Sequence, residues 1–570
     1  MKRRNFIEVL AAGGGVLASA PVFASSTVVS STARRVRGQE FAADVVIAGG
    51  GLGGVAAALG ALRNGLKVIL TEETDWIGGQ ITQQGVPPDE HPWIETHGAT
   101  QLYREFRTAV RNYYKRYYPL TEEARNRKDL NPGDGSVSRL CHEPRVALAV
   151  LEDMLNPYIS SRQLQLFLEH KVVGADVAGD QVRALTARNL RNGKEIVLTA
   201  PYFVDATELG DLLPLTKTEY VRGAEARSDT QELHAAEKAD PKNEQAFTMC
   251  FAMDYVPGAN NVIDKPKEYD FWRNHVPNLT PAWSGRLLDL RYSQPSTLQP
   301  KALGFHPEGI STGDTLNLWN YRRIINRNNF KPGTYAGDIT IVNWPQNDYM
   351  LGSIIDVSEK EFKKHVDRSK QLSLSLFYWL QTEAPRPDGG QGWPGLRLRG
   401  DVMGTEDGMA KYPYVRESRR IKAMFTVLEE HVGAANRAMI TGKESGNTAA
   451  EFYDSVGIGY YHIDLHPSTG GNNYIDFASL PFQIPLGALI PQRVDNLLAA
   501  NKNIGTTHIT NGCYRLHPVE WSIGESVGML VAYSLSKRIS PRGVREQRPV
   551  LEDFQRMVRS QGIETEWPRG

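Results

Sequence analysis

The chain has 570 residues, and its 65 basic and 65 acidic side chains cancel to a formal net charge of zero, so no long-range attraction to nucleic acid or another polyanion is built in. With 41% hydrophobic, 9% aromatic and 23% charged residues, it can bury a large core and is neither disordered nor fibrous. Its three cysteines, Cys141, Cys250 and Cys513, exclude a disulfide scaffold and any CxxC metal or redox pair, and allow at most one disulfide.

In chain order, Arg3-Arg4 precede a modestly apolar stretch over residues 9–20 and the small-residue site Val22-Phe23-Ala24. This is the pattern of a twin-arginine export signal over residues 1–24. The alternative, an amphipathic helix, is weakened by Gly13-Gly14-Gly15. Because such export carries folded chains, the signal predicts a cofactor inserted before translocation, the twin-arginine machinery as a partner, and a periplasmic or extracellular location. No other run reaches the roughly 18 to 20 apolar residues of a membrane span.

An apolar strand over residues 44–47 runs into Ala48-Gly49-Gly50-Gly51-Leu52-Gly53-Gly54 and then a helical stretch over 55–62. Gly49 makes the tight turn and Gly51 lets the backbone approach a pyrophosphate. Gly54 allows close helix–strand packing, and the helix start at Leu52 and Gly53 turns N–H groups toward the anion. A second strand over 67–71 ends at Glu72, where an acid suits a ribose hydroxyl pair. Trp76-Ile77-Gly78-Gly79-Gln80 extends the nucleotide site, with Gly79 and Gln80 as contacts, in a manner common in flavoproteins. Residues 165–173, including Val172, and the hairpin signal Gly179-Asp180 lead to a segment over 202–211. That segment resembles the second FAD fingerprint of the glutathione-reductase-like superfamily, a strand ending in Ala-Thr-Gly. Asp205, Ala206 and Thr207 match it, while Glu208 stands in the place of the glycine.

Between 216 and 440 the glycine fingerprints give way to Trp, Tyr, Asn and Pro, as expected of a substrate domain. Asn343-Trp344-Pro345-Gln346-Asn347-Asp348-Tyr349 joins an aromatic face to amide donors and acceptors, a combination suited to a sugar or another polyhydroxy or aromatic ligand. The charged run over 359–370 reads as a solvated helix face.

Several separated blocks, residues 85–91, 205–211, 415–421, 464–466 and 484–489, look like a large family of bacterial FAD-dependent oxidoreductases, some of whose members are labelled xanthan lyase. The closing block, from 496–500 through Thr507-His508 and residues 514–518 to 524–528, matches that family's last flavin-binding segment. Asn501-Lys502 depart from it where relatives show Gly-Arg. The resemblance covers about residues 43–536 and implies FAD in an α/β fold. Its Rossmann-like FAD-binding domain, of the glutathione-reductase type, would span 43–215 and 441–536. A mixed α+β substrate domain would interrupt it over 216–440, and a polar extension would follow over 537–570. By analogy, a late helix starting near Pro518 points its N-terminus, over residues 519–522 with Ser522, at the flavin N1 and C2 carbonyl. Gly524 and Gly528 would let that helix approach the first dinucleotide helix or the cofactor closely.

A flavin dehydrogenase needs a substrate C–H aimed at N5 and often a base for the accompanying proton. His466, two residues after Asp464, and His508 are the candidate bases, and Arg515 is the candidate holder of a substrate carboxylate or the flavin carbonyl. His517 reads as a helix-start residue, and the cluster Arg416, Arg419 and Arg420 as mostly salt-bridged, with Glu417 available to pair. Cys141-His142 can be read as a thiol–imidazole pair or flavin attachment point, against the plain reading of a buried cysteine. No HExxH or GxSxG motif is present, which disfavours a metalloenzyme or a serine hydrolase. The expectation is an exported FAD-dependent dehydrogenase or oxidase, passing hydride between a small organic substrate, such as a sugar or other polyhydroxy compound, and flavin N5. Oxygen, a quinone or a redox protein would serve as electron acceptor. Flavin-assisted lyase or isomerase chemistry on a carbohydrate, and a non-catalytic FAD-containing binding protein, are the alternatives.

Overall fold

The strand over Val45–Ala48 (β1) is buried on both faces, as a central strand of a parallel sheet must be. In the computed structural model, which describes residues 38–442 and 448–568, β1 is followed by a helix over Leu52–Arg63 (α1) and a strand over Val68–Glu72 (β2). Strands Leu164–Leu168 (β3), Tyr202–Asp205 (β4) and Leu497–Ala499 (β5) complete a five-stranded sheet in the order β5-β4-β1-β2-β3. Every pair in it is parallel. The α/β expectation is met: β5 returns from near the C-terminal end to close a sheet begun at the N-terminal end. The predicted export signal lies outside the described residues.

The helix over His517–Lys537 (α2) is buried from His517 to Ser534, and α1 from Leu52 to Leu62. The two meet backbone to backbone through glycine. A Cβ on Gly524 would stand 2.0 Å from Gly53 O, and one on Gly528 would stand 2.1 Å from Ala57 O. The spacing of Gly524 and Gly528 therefore serves the approach to the first dinucleotide helix, as the sequence suggests.

A second sheet joins Gln39–Ala42, Glu195–Thr199, Gln181–Asn189 and His170–Ala178. An antiparallel third joins Arg323–Ile325, Ile339–Val342, Phe251–Tyr255 and Leu396–Leu398. Against it lies the helix Glu359–Thr382, capped by Ser358, whose hydroxyl accepts from Glu361 N. The charged first half of this helix is largely solvated, whereas Leu372, Leu376 and Phe377 are buried and Phe377 meets the edge of Phe251. The polar C-terminal segment carries the helix Arg548–Ser560, which buries Leu551, Phe554 and Val558 along one stripe. Among the described residues no helix is long and apolar enough to cross a membrane.

Candidate active site and nucleotide cleft

The glycine turn after β1 is built as the motif demands. Gly49 has φ +96°, and a Cβ there would stand 2.3 Å from Ala206 O on the turn after β4. Gly51 is the N-cap of α1 and offers no side-chain cap, so the first N–H groups, including those of Leu52, Gly53 and Gly54, are left for an anion. Glu72 ends β2: its Oε2 accepts from Gly50 N at 2.9 Å and its Oε1 from Thr74 N at 2.8 Å. Burial, reinforced by Glu73, pushes its carboxyl up to about 8. Val172, Ala206 and Thr207 line the same cleft as Gly49, Gly51 and Glu72. Asp205 is turned inward, accepting from Thr207 N and Leu212 N at 3.0 Å each, so it shapes the turn.

Gln80, predicted as a cofactor contact, is not among the residues that line this cleft; its Nε2 donates to Arg515 O at 2.9 Å and to Glu520 Oε2 at 2.5 Å. Lys502 Nζ, which is 1% exposed as a residue, donates to Glu208 Oε2 at 2.5 Å and Glu520 Oε1 at 3.2 Å. Burial pulls this ammonium down, but the two carboxylates outweigh it and hold it above its ordinary value. Ser522 is occupied elsewhere, its hydroxyl donating to Pro518 O at 2.9 Å.

Beyond Gln80 and Arg515 a cavity of about 200 Å³ opens between the parallel-sheet region and the inserted sheet. His466 and Arg515 both line it, together with Asn343 and Trp344 from the segment singled out by its aromatic and amide content. His466 Nδ1 lies 2.6 Å from Asp348 Oδ2, and its Nε2 lies 3.5 Å from Asp464 Oδ2. Asp348 also pairs with Arg416 at 3.0 Å, Asp464 with Arg515 at 3.0 Å, and Asp89 with Arg322 at 3.2 Å. Burial pushes the Asp464 carboxyl up, yet His466 and Arg515 hold it far below the carboxylate range. Each cavity arginine is thus matched by its own aspartate. Asn343 Nδ2, Trp344 Nε1 and Tyr474 Oη are buried with no hydrogen-bond partner among the described residues.

His508 does not line this cavity. Its Nδ1 lies 2.9 Å from Glu417 Oε1, which also accepts from Arg420 at 2.6 Å. Burial pushes Glu417 up, but His508 and Arg420 outweigh it and hold it at about 2. His508 is therefore one member of a buried ion network. Arg416, Arg419 and Arg420 all form salt bridges, with Glu417 serving Arg420. His517 opens α2, and its Nδ1 accepts from Asp89 N at 3.1 Å. Cys141 is buried and its thiol is pushed up to about 12 by burial, so it stays protonated and unreactive. Arg322 and Tyr474 escape notice in the sequence, and although Asp89 and Asp348 lie in stretches that stand out there, their pairing with Arg322 and with His466 and Arg416 does not, since each partner lies far along the chain. Among the described residues no group of three or more His, Cys, Asp or Glu side chains is placed to hold a metal ion.

The sequence profile of the FAD dependent oxidoreductase family matches residues 44–558. The chain belongs to this family. No curated protein matches it. Among solved structures, the myxobacterial chondrochloren halogenase CndH, an FAD-dependent halogenase, shares 15% identity over 38% of this chain and 45% of its own, with a TM-score of 0.21. The chain thus spans less than half of that structure. The E. coli quinol fumarate reductase FrdA shares 12% identity over 92% of this chain and 74% of its own, with a TM-score of 0.30. The OxyS anhydrotetracycline hydroxylase from Streptomyces rimosus shares 11% identity over 92% and 69%, with a TM-score of 0.31.

FAD is the cofactor, and the cleft fits it. The uncapped start of α1 offers N–H donors to the pyrophosphate, and Glu72 sits at the end of β2, where a ribose is met. The glycines at 49 and 51 leave the backbone open where a Cβ would fill the cradle. FAD supplies two-electron hydride chemistry when bound.

Proposed function

We propose that this protein is an FAD-dependent dehydrogenase acting on a small, neutral, polyhydroxy substrate in the cavity lined by His466 and Arg515. The observation that carries the reading is the position of His466. Its ring is held by Asp348 in a cavity that is linked to the nucleotide cleft by a run of buried contacts from Arg515 O through Gln80, Glu520 and Lys502 to Glu208. Asp348 accepts from Nδ1–H, which leaves Nε2 to take the proton of a substrate hydroxyl, and the carboxylates of Asp348 and Asp464 stabilise the imidazolium that results. Arg515, already paired with Asp464, orients the substrate through its remaining donors.

Among the described residues lining the cavity, Arg322, Arg416 and Arg515 are each paired with an aspartate, which offsets the charge they would offer a substrate carboxylate. The unpartnered Asn343 Nδ2, Trp344 Nε1 and Tyr474 Oη suit hydroxyl oxygens. We further propose a glutathione-reductase-type FAD domain, twin-arginine export, and oxygen, a quinone or a redox protein as electron acceptor. The test is anaerobic: the purified flavoprotein is mixed with a panel of sugars, polyols and small hydroxy acids, and the flavin absorbance near ~450 nm is followed. Bleaching by neutral polyols supports the reading. Bleaching by hydroxy acids alone, or by nothing in the panel while an artificial reductant still bleaches the flavin, rejects it.

A further inference from the structure

The segment His462-Ile463-Asp464-Leu465-His466 carries an imidazole on each side of a carboxylate. Its middle three residues form a strand that pairs antiparallel with Ile475–Phe477. Side chains alternate across an extended chain. Ile463 and Leu465 are accordingly buried in the core, whereas His462, Asp464 and His466 all line the cavity. Asp476 joins them from the facing strand, directly across from Asp464. The two histidines are built alike. His462 Nδ1 lies 3.2 Å from Asp476 Oδ1, as His466 Nδ1 lies 2.6 Å from Asp348 Oδ2. Each ring has a tyrosine of the cavity wall at its side, Tyr461 at 4.4 Å between centroids for His462 and Tyr474 at 5.3 Å for His466. They differ in depth: the side chain of His466 is 17% exposed and that of His462 40%.

An imidazole fixed through Nδ1 by a carboxylate, with an aromatic ring beside it, is a unit suited to one sugar. The aromatic face takes the C–H face of the sugar, and the imidazole and carboxylate take its hydroxyls. The unit occurs twice on one wall, and the four-residue step between the histidines separates their backbones by roughly 13 Å at about 3.3 Å per extended residue. A single hexose ring therefore engages one unit at a time. Among the described residues lining the cavity, Asp89 and Asp464 pair with arginines, whereas Asp476 pairs with His462. An imidazole occupies fewer of a carboxylate's lone pairs than a guanidinium fork does, so Asp476 keeps acceptor capacity for a ligand hydroxyl. We propose that His462, Asp476 and Tyr461 form an outer sugar subsite, and that the cavity takes a disaccharide or the terminal two residues of a longer chain. The reacting ring lies against His466 and the second ring at the more exposed end. The inference rests on the reading of His466 as the reacting end, and adds to it the size of the substrate and the residues that select that size.

The experiment is calorimetric titration of hexoses and their disaccharides, glucose against maltose and cellobiose and galactose against lactose, into the flavin-loaded full chain. Wild type, His462→Ala and the conservative Asp476→Asn are compared. The wild type should bind at least one disaccharide about tenfold more tightly than its hexose, the worth of one or two added hydrogen bonds. Both substitutions should bring that disaccharide to within about threefold of the hexose, with a smaller shift in the affinity of the hexose itself. Equal affinity for hexose and disaccharide in the wild type overturns the proposal. So does binding of none of these sugars, or a disaccharide preference that survives both substitutions. A disaccharide that binds with the expected preference and loses it in the variants, yet leaves the flavin oxidised under anaerobic conditions, upholds the subsite and rejects instead the hydride-transfer reading of the cavity.

Discussion

His466 and His508 present the same side chain in two settings, and the difference lies in what each ring faces. His466 stands between Asp348 and Asp464 on a cavity wall, whereas His508 is locked against Glu417 in a network completed by Arg420. His466→Ala should lower kcat/KM by about 10²- to 10⁴-fold, the range for loss of a general base, with little change in the melting temperature. His508→Ala should do the reverse, costing about 1–3 kcal/mol of stability through a lost buried hydrogen bond while leaving kcat within about threefold. Steady-state kinetics and thermal melts on the two variants check this together, and a catalytic collapse in His508→Ala would reassign the base. Both histidines stand out in the sequence, His466 beside Asp464 in the 464–466 block and His508 in the closing flavin-binding block. Their partners do not: Asp348 comes from the inserted sheet region and Glu417 from another segment, so nothing local distinguishes a base from an ion-network member.

At the scale of elements, α1 and α2 act as one unit. Gly53, Gly524 and Gly528 set their separation, because any side chain would meet a carbonyl oxygen of the facing helix or of the loop after β5. Gly524→Ala places a Cβ 2.0 Å from Gly53 O, so the helices must separate, an overpacking expected to cost about 1–3 kcal/mol. Because α1 carries the anion seat at its start, the same substitution should lower the flavin-to-protein ratio of the purified material. Calorimetry and the flavin absorbance check the two effects, and full flavin occupancy in a destabilised variant would uncouple helix packing from cofactor binding. The glycine spacing in 524–528 is legible as a close-packing signal. The facing positions on α1 are legible only as parts of the dinucleotide motif, since Gly53 serves both the turn and the packing.

Across the whole molecule, buried ionisable groups make stability depend on pH in two opposite ways. Burial raises Glu72 and Glu244 to about 8 and Glu232 to about 7. A raised acid contributes stability that is fully present below its unfolded value near 4.5 and is lost as pH rises through the folded value. Burial lowers His91 and His142 to about 4 and His517 to about 3. These contributions are present above the unfolded value of 6.5 and are lost as pH falls toward the folded values. Glu417, held at about 2, adds to the acid-side loss below 4.5. The cofactor-free protein should therefore melt highest between about pH 4.5 and 6.5 and lower on both sides. Calorimetry across pH 3 to 9 checks this, and Glu72→Gln should flatten the alkaline limb; a midpoint still climbing at pH 8 contradicts it.

What the sequence determined by itself is the nucleotide half: β1, the glycine turn, α1 and Glu72 lie within 30 consecutive residues. A strand buried on both faces is written as an unbroken apolar run, so local pattern and local structure coincide there. Only the tertiary structure decided the cavity and the charge balance within it. Asp89, Arg322, Asn343, Asp348, Asp464 and Arg515 meet from five separate stretches of chain. Likewise Glu208 and Lys502, each visible in the sequence as a departure from a motif, become a single buried ion pair only when β4 and β5 lie side by side. The reason is electrostatic: the role of a buried charge is set by what neutralises it, and its neutralising partner can stand anywhere in the chain.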